Sequence, residues 1–69
     1  MNILSESLAK LLPHWAEHAA EHGAEIRQWR IKAEGTVSGR ALSHMTEAEA
    51  AIKAACEALN AARRALDEK

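Results

Sequence analysis

The sequence predicts an all-α fold, an antiparallel helical hairpin formed by a single domain over residues 1–69, and three observations indicate it. Apolar residues in both halves of the chain recur at alternating spacings of four and three, the period of a helix buried on one side. A glycine-containing segment, residues 35–42, separates the halves. No stretch shows the period of two that a half-buried strand requires. Two helical stripes joined by a short link describe an αα-hairpin.

The first half is predicted to contain a short leading helix over residues 3–11 and a long helix over residues 13–34. Pro13 is compatible with a first helical turn, because its missing N–H would be unpaired there. The residue before a proline is biased away from helical angles, so we expect a break near Leu12. Ser5 is the expected cap of the leading helix. The apolar stripe of this half consists of Leu8, Leu12, Trp15, Ala19, His22, Ile26, Trp29 and Ala33.

The second long helix is predicted over residues 43–68. Its beginning is left open by three suitable N-caps, Ser38, Ser43 and Thr46. Alanine occupies nearly every side of this helix, which favours helix formation and allows a neighbouring backbone to approach closely. We expect Trp15 and Trp29 to supply the missing bulk and therefore to be largely buried. The stripe of this half consists of Ala41, Met45, Ala48, Ile52, Ala55, Leu59, Ala62 and Leu66.

The size of the chain predicts self-association. A domain this short buries only about 60% of its unfolded surface. Ordering it costs about 1.5 kcal/mol per residue, which nearly cancels the gain from burial. Cys56 is the only cysteine, so an internal disulfide is impossible. We therefore expect a homo-oligomer, with two hairpins packed as a dimeric four-helix bundle.

Composition excludes several classes of partner and activity. The net charge is −1 and both signs are interspersed, so no basic stripe indicates nucleic-acid binding. No apolar run approaches the roughly 20 residues of a membrane span. The segment from Met1 to Leu12 lacks the basic region of a signal peptide, and the single thiol suits the cytoplasm. Zinc-protease, haem-attachment and phosphate-loop motifs are missing, so we do not expect an enzyme.

A ladder of histidines on the first long helix is the one feature that predicts chemistry. His14, His18 and His22 are each four residues apart, and side chains at this spacing are neighbours on a helix. Two imidazoles placed in this way suit a transition metal, so His18 and His22 are the expected ligands. His14 is a further candidate, although about 12 Å separates it from His22 along the axis. Zinc, nickel, copper and iron all accept imidazole, and Glu21 or Glu25 is expected to orient the rings.

The alternative interpretation of the ladder is structural. A histidine inside an apolar stripe commonly hydrogen-bonds to a backbone carbonyl or a carboxylate. The protein would then be an adaptor module whose apolar helical face mediates oligomerisation or docking to a protein partner, without metal. Cys56 lies level with His18 in a hairpin but projects to the other edge of the helix pair. We therefore expect Cys56 to be a small buried apolar residue rather than a third ligand.

Residues 14–22 read HWAEHAAEH and are followed by Ile26 and Trp29. This segment resembles a motif in small uncharacterised helical-hairpin proteins of prokaryotes, HWxxHxxxH followed by an aromatic residue and then Trp. Ile26 occupies the position where the aromatic residue is common. The resemblance covers residues 11–29 and implies a helical hairpin without an established activity.

Overall fold

The computed structural model describes residues 2–68 as two α-helices, α1 (Ile3–Ala33) and α2 (Gly39–Ala65). The helices pack against each other along their length, which confirms the predicted helical hairpin. They are antiparallel. Arg30, near the end of α1, pairs with Glu49, whereas Ala16, near the middle of α1, contacts Cys56 further along α2. The hairpin measures 52 × 16 × 12 Å. Neither helix is long and apolar enough, within the described residues, to cross a membrane.

The structure differs from the sequence prediction at Leu12, where α1 continues without a break. Residues 3–11 form the first turns of α1 instead of a separate leading helix, and Pro13 lies inside the helix. The N-cap is Asn2 rather than Ser5, since the Asn2 side chain accepts a 2.8 Å hydrogen bond from the Ser5 backbone N–H. Leu12 is buried against α2, so tertiary packing outweighs the local bias that proline imposes on its predecessor.

A tight turn connects the helices. Gly35 has a φ of 80°, a left-handed conformation that glycine adopts without steric cost. The carbonyl of Ala33 accepts backbone hydrogen bonds from Thr36 at 2.9 Å and from Val37 at 3.2 Å. These bonds satisfy the end of α1, as is typical of a helix that terminates on glycine.

The second helix begins earlier and ends earlier than the predicted range of 43–68. Ser38 is the N-cap, because its hydroxyl accepts a 3.1 Å hydrogen bond from the backbone N–H of Ala41. One of the three candidate caps is thereby selected, and α2 runs from Gly39 to Ala65.

Each helix is rotated slightly from the orientation that its apolar stripe predicts. Four of the eight residues in the first stripe and five of the eight in the second do face the other helix. The rest are replaced by the residues that follow them by one position in the chain. The inner residues of α1 are Ser5, Ala9, Leu12, Ala16, Ala19, Gly23, Ile26, Arg30 and Ala33. Those of α2 are Leu42, Met45, Ala48, Glu49, Ile52, Cys56, Leu59 and Arg63, with Leu66 just beyond it.

The expected burial of both tryptophans is wrong for the single hairpin. The exposed fraction is 44% for Trp15 and 61% for Trp29. Small residues take the inner positions because the helices approach closely, and a Cβ atom added to Gly23 would lie 3.1 Å from Ile52 Cγ2. An indole ring does not fit such a contact, so the tryptophans flank the interface instead of filling it.

One ion pair joins the two helices near the turn. The Nε of Arg30 donates to Glu49 Oε2, and its Nη2 donates to Glu49 Oε1 at 3.2 Å. This two-point contact is the geometry that a guanidinium and a carboxylate favour. The hydrogen bond from Arg30 lowers the pKa of Glu49, and the same contact raises the pKa of Arg30.

The thermal stability of the hairpin is therefore expected to fall in acid. Because the pKa of Glu49 is lowered in the folded chain, the pair contributes fully above the ordinary glutamate pKa of about 4.3. Its contribution is lost as the pH falls from there through the lowered pKa. Melting curves of the natural chain and of Glu49→Gln should differ at neutral pH and converge in acid. A gap between the two that stays constant with pH would contradict this assignment.

Candidate metal centre

His18 and His22 face each other on successive turns of α1. Their Nε2 atoms are 3.0 Å apart, and both side chains are exposed. The ring centroids are 4.6 Å apart and the ring planes meet at 69°. The spacing of four residues produces this neighbourhood, because side chains four apart lie on the same side of a helix. The sequence-predicted pair is thus brought together.

The separation of the two Nε2 atoms suits either a shared proton or a shared metal ion. Without metal, one ring donates its N–H to the unprotonated nitrogen of the other, at an ordinary hydrogen-bond distance. Two imidazoles on a tetrahedral zinc ion, each at about 2.0–2.1 Å, have nitrogens about 3.3 Å apart. The distance between the two Nε2 atoms therefore differs by only a few tenths of an ångström from that expected when both bind one zinc ion.

His14 lies outside this pair. Its ring centroid is 6.3 Å from that of His18, and the rings are inclined at 42°. Together with Glu17, His18 and Glu21 it lines a shallow surface depression of about 110 Å³. The structure thus brings His14 near His18, but the two rings share no hydrogen bond.

Within the described residues, one chain brings two imidazoles together without a third potential metal ligand beside them. No group of three or more His, Cys, Asp or Glu residues between residues 2 and 68 is arranged to hold an ion. Over the same residues, neither Glu21 nor Glu25 makes the hydrogen bond to an imidazole that the sequence analysis expected. A tetrahedral zinc site needs four ligands, so a second chain or another molecule would have to complete the pair.

The remaining candidates lie elsewhere. His44 pairs with Glu47 at the beginning of α2, with 3.0 Å between its Nδ1 and the carboxylate. The Cys56 thiol donates to the backbone carbonyl of Ala16 at 3.3 Å. Cys56 is partly buried, on a groove that the sequence analysis did not anticipate. That groove has a volume of about 400 Å³ and is lined by Ala20, Gly23, Ala24, Arg27, Glu49, Ile52, Lys53 and Cys56.

The histidine pair lies within a broad, mostly apolar surface on the other side of the hairpin from this groove. In an antiparallel pair of helices, the residues one position after the inner residues of each helix lie on the same side of the hairpin. Ala20 and Lys53, which line the groove together, are examples. The residues one position before the inner residues of each helix lie on the opposite side of the hairpin. We call this surface the histidine face. It consists of Leu4, Leu8, Leu11, Trp15, His18, His22, Glu25, Trp29 and Lys32 of α1 and Ala41, His44, Ala48, Ala51, Ala55, Ala58 and Ala62 of α2.

The fold and the site define a small helical hairpin that carries a facing pair of imidazoles on an exposed apolar surface. The chain belongs to the family described as a domain of unknown function (DUF8180), which matches residues 8–68. The matched range includes the histidine pair and all of α2. No curated protein and no solved structure gives a significant match.

Proposed function

We propose that this protein is a small metal-binding helical bundle in which His18 and His22 hold a divalent transition metal ion. The observation that supports this most directly is the 3.0 Å separation of the two Nε2 atoms. This separation is close to that of two imidazoles on one ion, and both rings are exposed to an incoming ion. The atoms that ligate metals in histidine-rich sites are these same ring nitrogens.

The remaining ligands come from a second copy of the chain. Each chain contributes two imidazoles, and a symmetric dimer brings the same patch of both copies together. Four imidazoles then surround one ion at or near the twofold axis, so one ion serves two chains. Zinc, nickel, copper and iron are all compatible with this nitrogen set.

A shell of four protein ligands leaves no open position on a tetrahedral ion. Closed sites of this kind stabilise structure or carry the ion, whereas catalytic sites keep one position for water or substrate. We therefore assign the protein to metal binding or metal handling rather than catalysis. We place it in the cytoplasm, because its single thiol suits a reducing compartment.

Metal analysis and calorimetry of the untagged protein test this function. Zinc, nickel and copper are titrated separately into the metal-free chain. Saturation is expected at one ion for two chains, with affinity falling below about pH 6 because imidazole must be neutral to bind metal. The absence of specific heat with all three ions would rule out the proposal. One ion bound by each separate chain would contradict the shared site.

A second candidate function, an adaptor module that docks on a protein without metal, is favoured by the exposure of the tryptophans. Trp15 is 44% exposed and Trp29 is 61% exposed on the same side of α1 as the histidine pair. Large exposed aromatic residues commonly anchor protein interfaces. In an adaptor, His18 and His22 are hydrogen-bonded only to each other, so His22→Gln is expected to leave the docking to a protein partner intact. The same titrations separate the two functions.

A further inference from the structure

We infer that a second copy of this chain docks on the histidine face in a specific orientation. The twofold axis runs through the interface perpendicular to the helices, so that α1 lies on α1 of the second copy and α2 lies on α2. The inference deepens the proposed function and rests on it for the direction of the axis and for the level at which the axis crosses the hairpin.

The hairpin alone leaves its largest apolar side chains in water. Among residues 2–68, only Leu12 and Ala16 are buried, with exposed fractions of 8% and 5%. Five large apolar residues of the histidine face are between 36% and 74% exposed: Leu4, Leu8, Leu11, Trp15 and Trp29. Soluble monomers rarely leave such a surface uncovered, and a chain this short lacks the core to be stable without further burial.

The dimensions of the face match those of a dimer interface. The hairpin is 52 Å long and 16 Å wide, so its broad face has an outline of about 800 Å². Stable interfaces bury about 800 Å² on each partner. A second copy presents a face of the same size, and a symmetric pair covers both faces at once.

The alanines of α2 favour contact between the two copies of this helix. They allow two backbones to approach closely between Ala48 and Ala62. Gly23 contacts Ile52 and Ala16 contacts Cys56, so Ala55 lies opposite the segment of α1 that contains the histidine pair. An axis through Ala55 therefore also passes the histidines.

This axis places complementary residues against each other. Ala48 and Ala62 are equally far from Ala55 in the chain, so each packs on the other across the axis. On α1, Leu11 and Trp29 are equally far from the midpoint of the histidine pair. Trp29 of each copy then covers Leu11 of the other, and four imidazoles meet at the centre.

The competing arrangement has a twofold axis parallel to the helices. It stacks α1 on α2 of the second copy and buries both tryptophans against alanines. It also places the two histidine pairs at diagonal corners of the bundle, each against the alanines of α2 of the second copy. The four imidazoles of one shared site cannot meet in that arrangement, so the proposed shared site favours the perpendicular axis.

Disulfide trapping tests the orientation. In a Cys56→Ser background, the variant Ala55→Cys is oxidised under mild conditions, once with a chelator and once with zinc. The introduced thiols are related by the axis and lie within the Cα separation of about 4.4–6.8 Å that a disulfide requires. The matched control is Ala54→Cys, since Ala54 is equally exposed in the hairpin but points away from the face.

The expected result is complete cross-linking of Ala55→Cys and slow, concentration-dependent cross-linking of Ala54→Cys. Circular dichroism confirms that both variants are helical. Equal cross-linking of the two variants, or a sedimenting dimer that does not cross-link at Ala55→Cys, would overturn the inference. Cross-linking of a protein that binds no metal would support the interface and refute the metal function. Binding of one ion by two chains without cross-linking of Ala55→Cys would support the metal function and refute this interface.

Discussion

Replacing His22 with alanine is expected to abolish metal binding. The substitution removes one of the two nitrogens that lie 3.0 Å apart, and in a symmetric dimer it removes two of the four ligands of the ion. Loss of a residue that only orients a ligand costs about 10–100-fold in affinity, so loss of two ligands should cost more. Calorimetric titration of His22→Ala with zinc measures this effect, and His18→Ala should behave in the same way.

His14→Ala is the matched control for this experiment. It removes the same type of side chain from the same helix, but the His14 ring lies 6.3 Å from that of His18 and outside the pair. Affinity should change little. Equal losses from His14→Ala and His22→Ala would mean that the histidines act only as a diffuse basic patch. An unchanged affinity in His22→Ala would exclude the pair as the site.

Trp29→Ala is expected to dissociate the dimer. In the hairpin Trp29 is 61% exposed, so much of its apolar area is available for burial between copies, although the ammonium of Lys32 lies over the ring, 4.9 Å from its centroid. Truncating a buried tryptophan costs about 3–5 kcal/mol. Since each 1.4 kcal/mol is about tenfold and the dimer loses both copies of Trp29, the dissociation constant should rise by at least about two orders of magnitude. Sedimentation equilibrium over a concentration series measures this shift.

Ile31→Ala provides the control for Trp29→Ala. Ile31 is 51% exposed and lies near the same end of α1, but it projects away from the histidine face. Its truncation should leave both self-association and the melting temperature nearly unchanged. If Trp29→Ala sediments like the natural chain, the tryptophan is not part of an interface between copies. If both variants dissociate, the face has been assigned to the wrong side of α1.

The hairpin could be predicted from the sequence because both apolar stripes are long and regular. The orientation of the helices could not, because two stripes overlap on each helix. On α1 the two stripes share Leu12, Ala19 and Ile26. They differ in the remaining positions, which belong either to a bulky line that contains Trp15 or to the line one position later, which contains Ala16. The bulkier line is the natural choice for a core, but where the helices approach as closely as at Gly23 and Ile52, a large side chain on α1 does not fit between them.

The continuity of α1 through Leu12 could not be predicted from the sequence for a related reason. The bias at Leu12 is local, and only the packing of Leu12 against α2 shows that it is overcome. The histidine pair was predictable from its spacing, because position on a helix follows from residue number alone. The direction of the two Nε2 atoms toward each other depends on side-chain rotamers, which no sequence pattern specifies.

The claim that two hairpins share one ion through His18 and His22 is tested most directly by native mass spectrometry of the zinc-loaded protein. The predicted spectrum contains a species of two chains with one zinc ion, which His22→Ala fails to form. A single chain that carries its own zinc ion, or a dimer that remains free of metal at saturating zinc, would contradict the shared site.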